Sequence, residues 1–486
     1  MNAAALAELS HKLMHCQLAI YRAEWDLEAD PNADKPAALR AMVKAQLTFH
    51  ALCSAPELGQ LPANTGDALV DELRRLHAHA RGIDLSTVET AAGAALRALQ
   101  AWHGARAADT YDVVAEPHAN VIALQRQMAG VKADNLSELY GRTVTPYEAL
   151  IDAYDPGRTL AFIKTSFADV AATCRTLLQK NGGAPVPFYN GVIDEQQQAS
   201  LCHTVMVAMG YDAAPPRGQL GVSTHPMCRR VAAREVWLTN RYDDRNFTSA
   251  LMNIIHEGGH GRYYQGLPAA RANDWLGGVA GETVNEGMAL FAEQIMGRSA
   301  AFCAWVAPHI TSALGIDCST HSLYADLTAV THDPIRAEAR EVIYPLHLLL
   351  RVDIEEQLIN NAMSPADLPA YWNAQSAALL GITPPDDLTG CLQDIHPYVG
   401  YIGYFPCYLL GFMVAAQVGA AIRAAHPDIE RDWAQGDFAR TNAWLATHIY
   451  GHGRTLTPDA LVARATGAPL GPQALIAHLQ ERYARG

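Results

Sequence analysis

The run His256-Glu257-Gly258-Gly259-His260 carries the most explicit chemistry in this chain. It reads H-E-x-x-H and lies within LMNIIHEGGHGRYYQGL. On a helix, residues four apart stand one turn above each other on the same face. Two imidazoles so placed bind one zinc ion, and a glutamate between them reaches a water on that ion. Zinc lowers the pKa of such a water toward neutrality, which makes it a nucleophile at physiological pH. This is the equipment of a metallohydrolase that attacks amide bonds, with Glu257 as general base. Three fixed residues match by chance in a long chain at roughly a few in a hundred, so the surroundings must carry part of the argument.

A third ligand is needed. Glu286 follows His256 by 30 residues, in GETVNEGMALFAEQIMGRS. Apolar residues at Val284, Met288, Leu290, Phe291 and Ile295 give that segment a helical stripe. A neighbouring antiparallel helix would bring Glu286 to the metal. Two histidines and one carboxylate leave a fourth position open, as a catalytic zinc requires. Spacing alone leaves the alternative of a solvated helix carboxylate.

The elements that must position these groups are mostly helical. Apolar residues recur at three- and four-residue spacing through 1–29, 37–56, 66–82 and 86–130. Breakers are grouped in ADPNADKP (29–36), NGGAPVP (181–187), DAAPPRGQ (212–219) and ITPPDD (382–387). Thr457-Pro458-Asp459-Ala460 predicts a helix start with Pro inside a Thr cap. VAAREVWLTNRY (231–242) is β-branched and aromatic and predicts a strand or small hairpin before the metal helix. The expected fold is all-α with a small β element near the metal, two helical lobes around a groove.

Composition narrows the function classes. The chain has 486 residues, 50% hydrophobic and 18% charged, ample for a large core. A net charge of −14 and the absence of a basic run exclude a nucleic-acid binder. Nine scattered cysteines without a C-x-x-C pair fit reduced thiols and a cytoplasmic location. The N-terminus has no basic-then-apolar leader, and no apolar stretch is expected to cross a bilayer, so no membrane partner is expected. His77 and His79, at i and i+2, are expected on the surface, and His448 and His452 are separated by helix-breaking glycines, against a second metal site.

Several longer segments resemble the M32 metallocarboxypeptidases. They are EWDLEADPNADKPAALRAMVKAQL, PYEALIDAYDPGRT (146–159), THP (224–226), HEGGHGRYYQGLP (256–268), IRAEAREVIYPLHLLLRVDIE (335–355), GCLQDIH (390–396), GYFPCYLLG (403–411) and GHGRTLTPDALVARATG (451–467), in the family's order. The resemblance implies a single catalytic domain over 1–486, with a helical lobe at about 1–215 and a metal-site region at about 216–486, of the HEXXH gluzincin type. It implies a deep groove, commonly a homodimer, and Glu286 as the third ligand beside His256 and His260. The implied cofactor is one divalent metal, zinc, with Co2+ or Mn2+ able to occupy the same ligands. The implied substrate is a peptide with a free C-terminal carboxylate. Arg336 is the first choice to grip that carboxylate and Arg351 the second, because a guanidinium fork matches two carboxylate oxygens. His225, His396, Tyr404 and Tyr408, all in family motifs, are candidates to donate to the oxyanion or line the substrate site. The alternatives are core aromatics with satisfied hydroxyls, and histidines that brace a loop or a metal ligand.

The substrate-side motifs depart from the family pattern. H-P-F appears as His225-Pro226-Met227, D-x-R-x-T as Glu235-Val236-Trp237-Leu238-Thr239, and H-E-S or H-E-G as Asn285-Glu286-Gly287. Q-D-x-H-W ends in Pro397, an expected acid is Tyr264, and A-D-E reads Ala339-Arg340-Glu341. Trp237 replaces a cation by a stackable ring, and Asn285 replaces a titratable ring by a neutral amide. Two other readings therefore stand beside a carboxypeptidase. One is a metallohydrolase re-specified for a small amide, a cyclic amide or an amino-acid conjugate, with Trp237 and Asn285 facing the substrate. The other is a silent homologue that binds a peptide or partner.

Overall fold

The computed structural model describes residues 1–63, 65–183 and 188–483. Helices dominate, and their ends follow local chemistry. Thr145 and Glu148 form a reciprocal capping box around Pro146–Asp152, which satisfies two backbone donors that a helix start leaves orphaned. Thr457 caps Pro458–Thr466 as its sequence predicts, accepting from the Ala460 amide. The helical run expected over 86–130 is interrupted: Leu85–Ala108 ends where Asp109 turns left-handed at φ 50°, and Ala115–Tyr140 starts afresh. The breaker run at 181–187 lies outside the described residues from 184 onward.

The chain forms two compact units. One comprises Met1–Leu9, Gln46–Ala184 and Val330–Leu409, and the other comprises Ser10–Ala45, Pro185–Ala329 and Leu410–Gly486. The first unit is helical. Its helix Ala68–Ala80 corrects the surface placement of two histidines. His77 is 7% exposed and its Nδ1 lies 2.9 Å from the Cys53 carbonyl, while His79 Nε2 meets Asp152 at 2.7 Å. Positions two apart do face different sides of a helix, but both sides are covered here.

The second unit holds the β element, a three-stranded sheet in the order β1 (Gly218–Val222), β3 (Glu235–Asn240), β2 (Cys228–Ala232). β2 and β3 make the expected hairpin, and β1 adds to β3 in parallel. Strand alternation sorts the residues onto two faces. Val236 and Leu238 join a buried cluster with Cys228, Met206, Tyr211 and Ile254, the last from the helix Phe247–Gly266. Trp237 faces the other way and packs with Trp25, Met227 and Val231.

One apolar stretch does reach bilayer-spanning length, contrary to the sequence expectation. Helix Phe405–Ala425 has 21 residues and a mean hydropathy of 1.7 over its most apolar window, but 83% of that window is buried inside the protein. A helix apolar all round is a core helix when protein covers every face. All nine cysteines are buried free thiols.

Candidate metal centre

Asn246 starts the H-E-x-x-H helix by accepting from the Ser249 amide. The helix Glu282–Leu290 begins after Gly281, at φ 114°, and runs directly into a π-helical segment, Phe291–Gly297. The two helices touch backbone to backbone at Gly259. A Cβ there would lie 2.5 Å from the Ala289 Cα and 2.7 Å from the Met288 carbonyl oxygen. Gly411 allows a similarly close approach on the other side of Glu286, where a Cβ would meet the Glu286 Cβ at 2.9 Å.

This approach brings the three expected ligands together. Glu286 Oε2 lies 3.6 Å from His256 Nε2 and 3.7 Å from His260 Nε2. Among the described residues these three are the one group of His, Cys, Asp or Glu whose ligand atoms cluster tightly, all within 4.8 Å of one another. Zinc bonds of about 2.1 Å in tetrahedral geometry set ligand atoms about 3.4 Å apart, close to the two edges that Glu286 makes with the histidines. Both Nδ1 atoms are engaged on the far side of the rings. His256 Nδ1 is 3.0 Å from Glu293 Oε2, and His260 Nδ1 is 3.0 Å from Asn285 Oδ1. Nε2 is thus the atom each ring turns to the common point, the usual arrangement of a braced metal ligand.

The electrostatics favour a cation at that point. Burial opposes a charged His256, but Glu286, Glu293 and Glu257 overcome it and hold its pKa well above the usual imidazole value. Burial likewise works against an ionised Glu293, yet His256 and Arg298 prevail and keep it below the usual carboxylate range. Glu257 is 9% exposed, and burial pushes its pKa up against the pull of His260 and His256. A raised carboxylate pKa suits a group that must accept a proton from water and return it.

Several bracing residues were not evident from the sequence motifs. Glu293 Oε1 accepts from Arg298 at 3.1 Å, and Asn285 Nδ2 donates to Glu282 Oε2 at 2.9 Å. Their signal was present as spacing: Glu282, Glu286 and Glu293 stand at −4, 0 and +7, one face of a helix. Asn285, expected at the substrate, has both ends of its amide engaged within the protein. Trp237 meets Trp25 edge-on at 5.2 Å between centroids, and the Arg22 guanidinium lies 4.8 Å over its ring. His225 is exposed, and its carbonyl accepts from the Ser223 hydroxyl.

Arg336, Arg351, His396, Tyr404 and Tyr408 belong to the other unit. Asp394 sits between two arginines, with Arg336 Nε at 2.8 Å from Oδ1 and Arg351 Nε at 2.7 Å from Oδ2. Arg351 is buried and spends its other donors on the His347 carbonyl and Gln393 Oε1. Arg336 is partly exposed. Among the described residues its terminal nitrogens have no hydrogen bond, and its guanidinium stands 5.5 Å from the Phe405 and Tyr408 ring centroids. Tyr404 and Tyr408 are half-buried and meet at 5.2 Å, and His396 tilts against Phe405 at 4.8 Å. Arg340 is half-buried and donates to the Thr331 hydroxyl at 3.3 Å. His448 stacks on Trp444 and belongs to no metal-binding group among the described residues.

Residues 30–483 match the family described as Carboxypeptidase Taq (M32) metallopeptidase. Carboxypeptidase 1 of Bacillus subtilis is 32% identical over 351 residues, 71% of this chain and 70% of that protein. Thermostable carboxypeptidase 1 of Thermus thermophilus is 30% identical over 439 residues, 88% of this chain and 85% of that protein. The solved structure of metallocarboxypeptidase 1 of Trypanosoma cruzi superposes with a TM-score of 0.87 at 28% identity, covering 99% of both chains. The chain belongs to the M32 metallocarboxypeptidase family. It is a carboxypeptidase-type hydrolase, and its family implies a divalent metal and peptide substrates.

Proposed function

We propose that this protein removes residues from the C-termini of peptides with one zinc ion held by His256, His260 and Glu286. The observation that carries the reading is the convergence of two Nε2 atoms on Glu286 Oε2, at 3.6 and 3.7 Å, beside a buried Glu257. Two imidazoles and a carboxylate suit zinc, and cobalt or manganese would bind the same set. When bound, the ion supplies Lewis acidity to a water molecule and to the scissile carbonyl.

The chain's own residues do the rest. Glu257 takes the proton of the attacking water and delivers it to the leaving amine. The terminal carboxylate is assigned to Arg336, whose outward nitrogens are open, rather than to Arg351, whose donors are spent. Asp394 fixes the Arg336 plane from behind through Nε, which leaves the fork for a second carboxylate. His225, His396, Tyr404 and Tyr408 are the candidate donors to the oxyanion. Trp237 and Asn285 are committed to contacts inside the protein, which favours a peptide substrate over a pocket rebuilt for a small amide. An intact ligand set with its base argues against a silent binder. A homodimer and a cytoplasmic location complete the proposal, the latter resting on the buried free thiols.

The test is turnover of acylated dipeptides, each with a free and an amidated C-terminus, by zinc-loaded protein and by a Glu257→Ala control. Cleavage confined to free carboxylates, with the control inactive yet still binding metal, is the expected result. Turnover by a clean Glu257→Ala preparation would end the base assignment, and equal cleavage of amidated peptides would end the carboxypeptidase reading.

A further inference from the structure

We infer that Glu282 sets the tautomer of His260 by dictating which way the Asn285 amide points. The inference rests on the reading of His260 as a metal ligand. A histidine that binds a cation through Nε2 must keep its own proton on Nδ1. A carboxylate beside Nδ1 enforces this, because it accepts and never donates when ionised. His256 is governed that way by Glu293.

His260 faces an amide instead, at 3.0 Å. An amide has an accepting end and a donating end of nearly equal shape. With Oδ1 toward the ring, Nδ1 carries the proton and Nε2 offers its lone pair. With the amide reversed, the NH2 group donates to Nδ1, the proton moves to Nε2, and the ring can no longer take a metal. Nothing in Asn285 itself chooses between these states, and at 4% exposure water has little access to even them out.

The other end of the amide makes the choice. Nδ2 lies 2.9 Å from Glu282 Oε2 and 3.4 Å from the Tyr264 hydroxyl. Both of its hydrogens thus have acceptors. A hydroxyl can donate or accept, so Tyr264 would tolerate either orientation. Glu282 would not, because reversal sets an amide oxygen against a carboxylate oxygen. Glu282 stands one turn before Glu286 on the same helix, with Asn285 next to the ligand. A single helical turn therefore supplies a ligand, the amide that orients a second ligand, and the carboxylate that orients the amide. Glu282 is on this account a positioning residue. The competing explanation is a first-turn carboxylate that only complements the helix N-terminus.

Four variants separate the two explanations by zinc affinity, measured on the apoprotein by chelator competition. Glu282→Leu removes the acceptor, and is expected to weaken zinc binding about 10- to 100-fold. Glu282→Gln offers Asn285 an amide that can turn either its oxygen or its NH2 group, so it too ceases to enforce one orientation and is expected to weaken zinc binding by about 10-fold. Asn285→Asp added to Glu282→Leu puts an acceptor-only group at Nδ1 and is expected to restore affinity. Long-range proton–nitrogen spectra of histidine-labelled apoprotein should show one ring, absent in His260→Ala, move from the Nδ1–H to the Nε2–H form in Glu282→Leu alone. Parent-like affinity in either Glu282 variant would overturn the inference. So would a loss that Asn285→Asp fails to restore in a protein with an unchanged thermal transition. Undiminished zinc binding by His260→Ala would instead overturn the ligand reading, and this inference with it.

Discussion

The two variable residues of the H-E-x-x-H motif are both glycine, and the structure gives them opposite tolerances. At Gly259 a Cβ meets the Ala289 Cα at 2.5 Å, the Met288 carbonyl oxygen at 2.7 Å and the Ala289 nitrogen at 3.0 Å. Ordinary contact begins near 3.4 Å, so Gly259→Ala requires about 0.9 Å of separation between two helix backbones. No rotamer change can supply it, because every obstructing atom is main chain. At Gly258 the Cβ meets only the thioether end of Met206, which can swing aside. Overpacking costs about 1–3 kcal/mol, and replacing a helical glycine by alanine returns up to about 1 kcal/mol. The stability changes of the two variants therefore overlap and do not discriminate. The metal does. Separation of the helices opens the 3.6 and 3.7 Å edges between Glu286 and the histidines toward about 4.5 Å, away from the roughly 3.4 Å at which tetrahedral zinc holds its ligands. Gly259→Ala should lose zinc affinity by about two orders of magnitude or more, against less than about tenfold for Gly258→Ala. Chelator competition on both purified apoproteins, with thermal unfolding as a control for folding, measures this. Equal affinities in the two variants would refute the claim that backbone contact at Gly259 sets the bite of the site.

Two further outcomes follow from the other unit. Arg336→Met should raise KM for free-carboxylate peptides by about 10- to 100-fold and erase the preference over amidated ones, whereas Arg336→Lys should recover only part, since a point charge cannot replace a fork. An unchanged free-to-amide ratio in steady-state kinetics would return the search to other cations. Glu355 is buried, accepts from the Tyr147 hydroxyl at 2.8 Å and the Gly403 amide at 3.0 Å, and burial pushes its pKa up to about 8. A raised carboxyl pKa contributes stability that is full below the unfolded value near 4.5 and is lost as pH rises through about 8. The contribution lost is about 5 kcal/mol at most. Glu355→Gln keeps an accepting oxygen for both donors, so denaturant unfolding should show a shallower fall in stability from pH 5 to 8. A parallel fall in parent and variant would mean that Glu355 is ionised throughout.

The shared face of His256 and His260 was legible because helical periodicity is local. Four residues make a turn, so His256 and His260 share a face wherever the helix goes. The hairpin before it was legible from β-branched and aromatic alternation, whereas β1 was not. GQLGV has two glycines and pairs with a strand that follows it by more than a dozen residues, so its partner and not its composition makes it a strand. The same distinction explains the histidines at 77 and 79. Periodicity assigned them two faces, but only the arrival of Cys53 and Asp152 made both faces interior.

What the sequence determined by itself is the set of groups on offer: a turn that pairs two histidines, a glutamate within it, a second carboxylate further along the chain and a supply of arginines. Tertiary structure decided which of these groups are free to act. It placed Asp394 between Arg336 and Arg351 and so left one of them with an open fork. It turned Trp237 onto Trp25, and bound both ends of Asn285 to neighbours. It also set the distance between His256, His260 and Glu286, through a glycine contact too close for any side chain. The physical reason is one of range. Helix periodicity and capping act over a few residues, but hydrogen-bond saturation and backbone approach are properties of pairs that only the folded chain brings together.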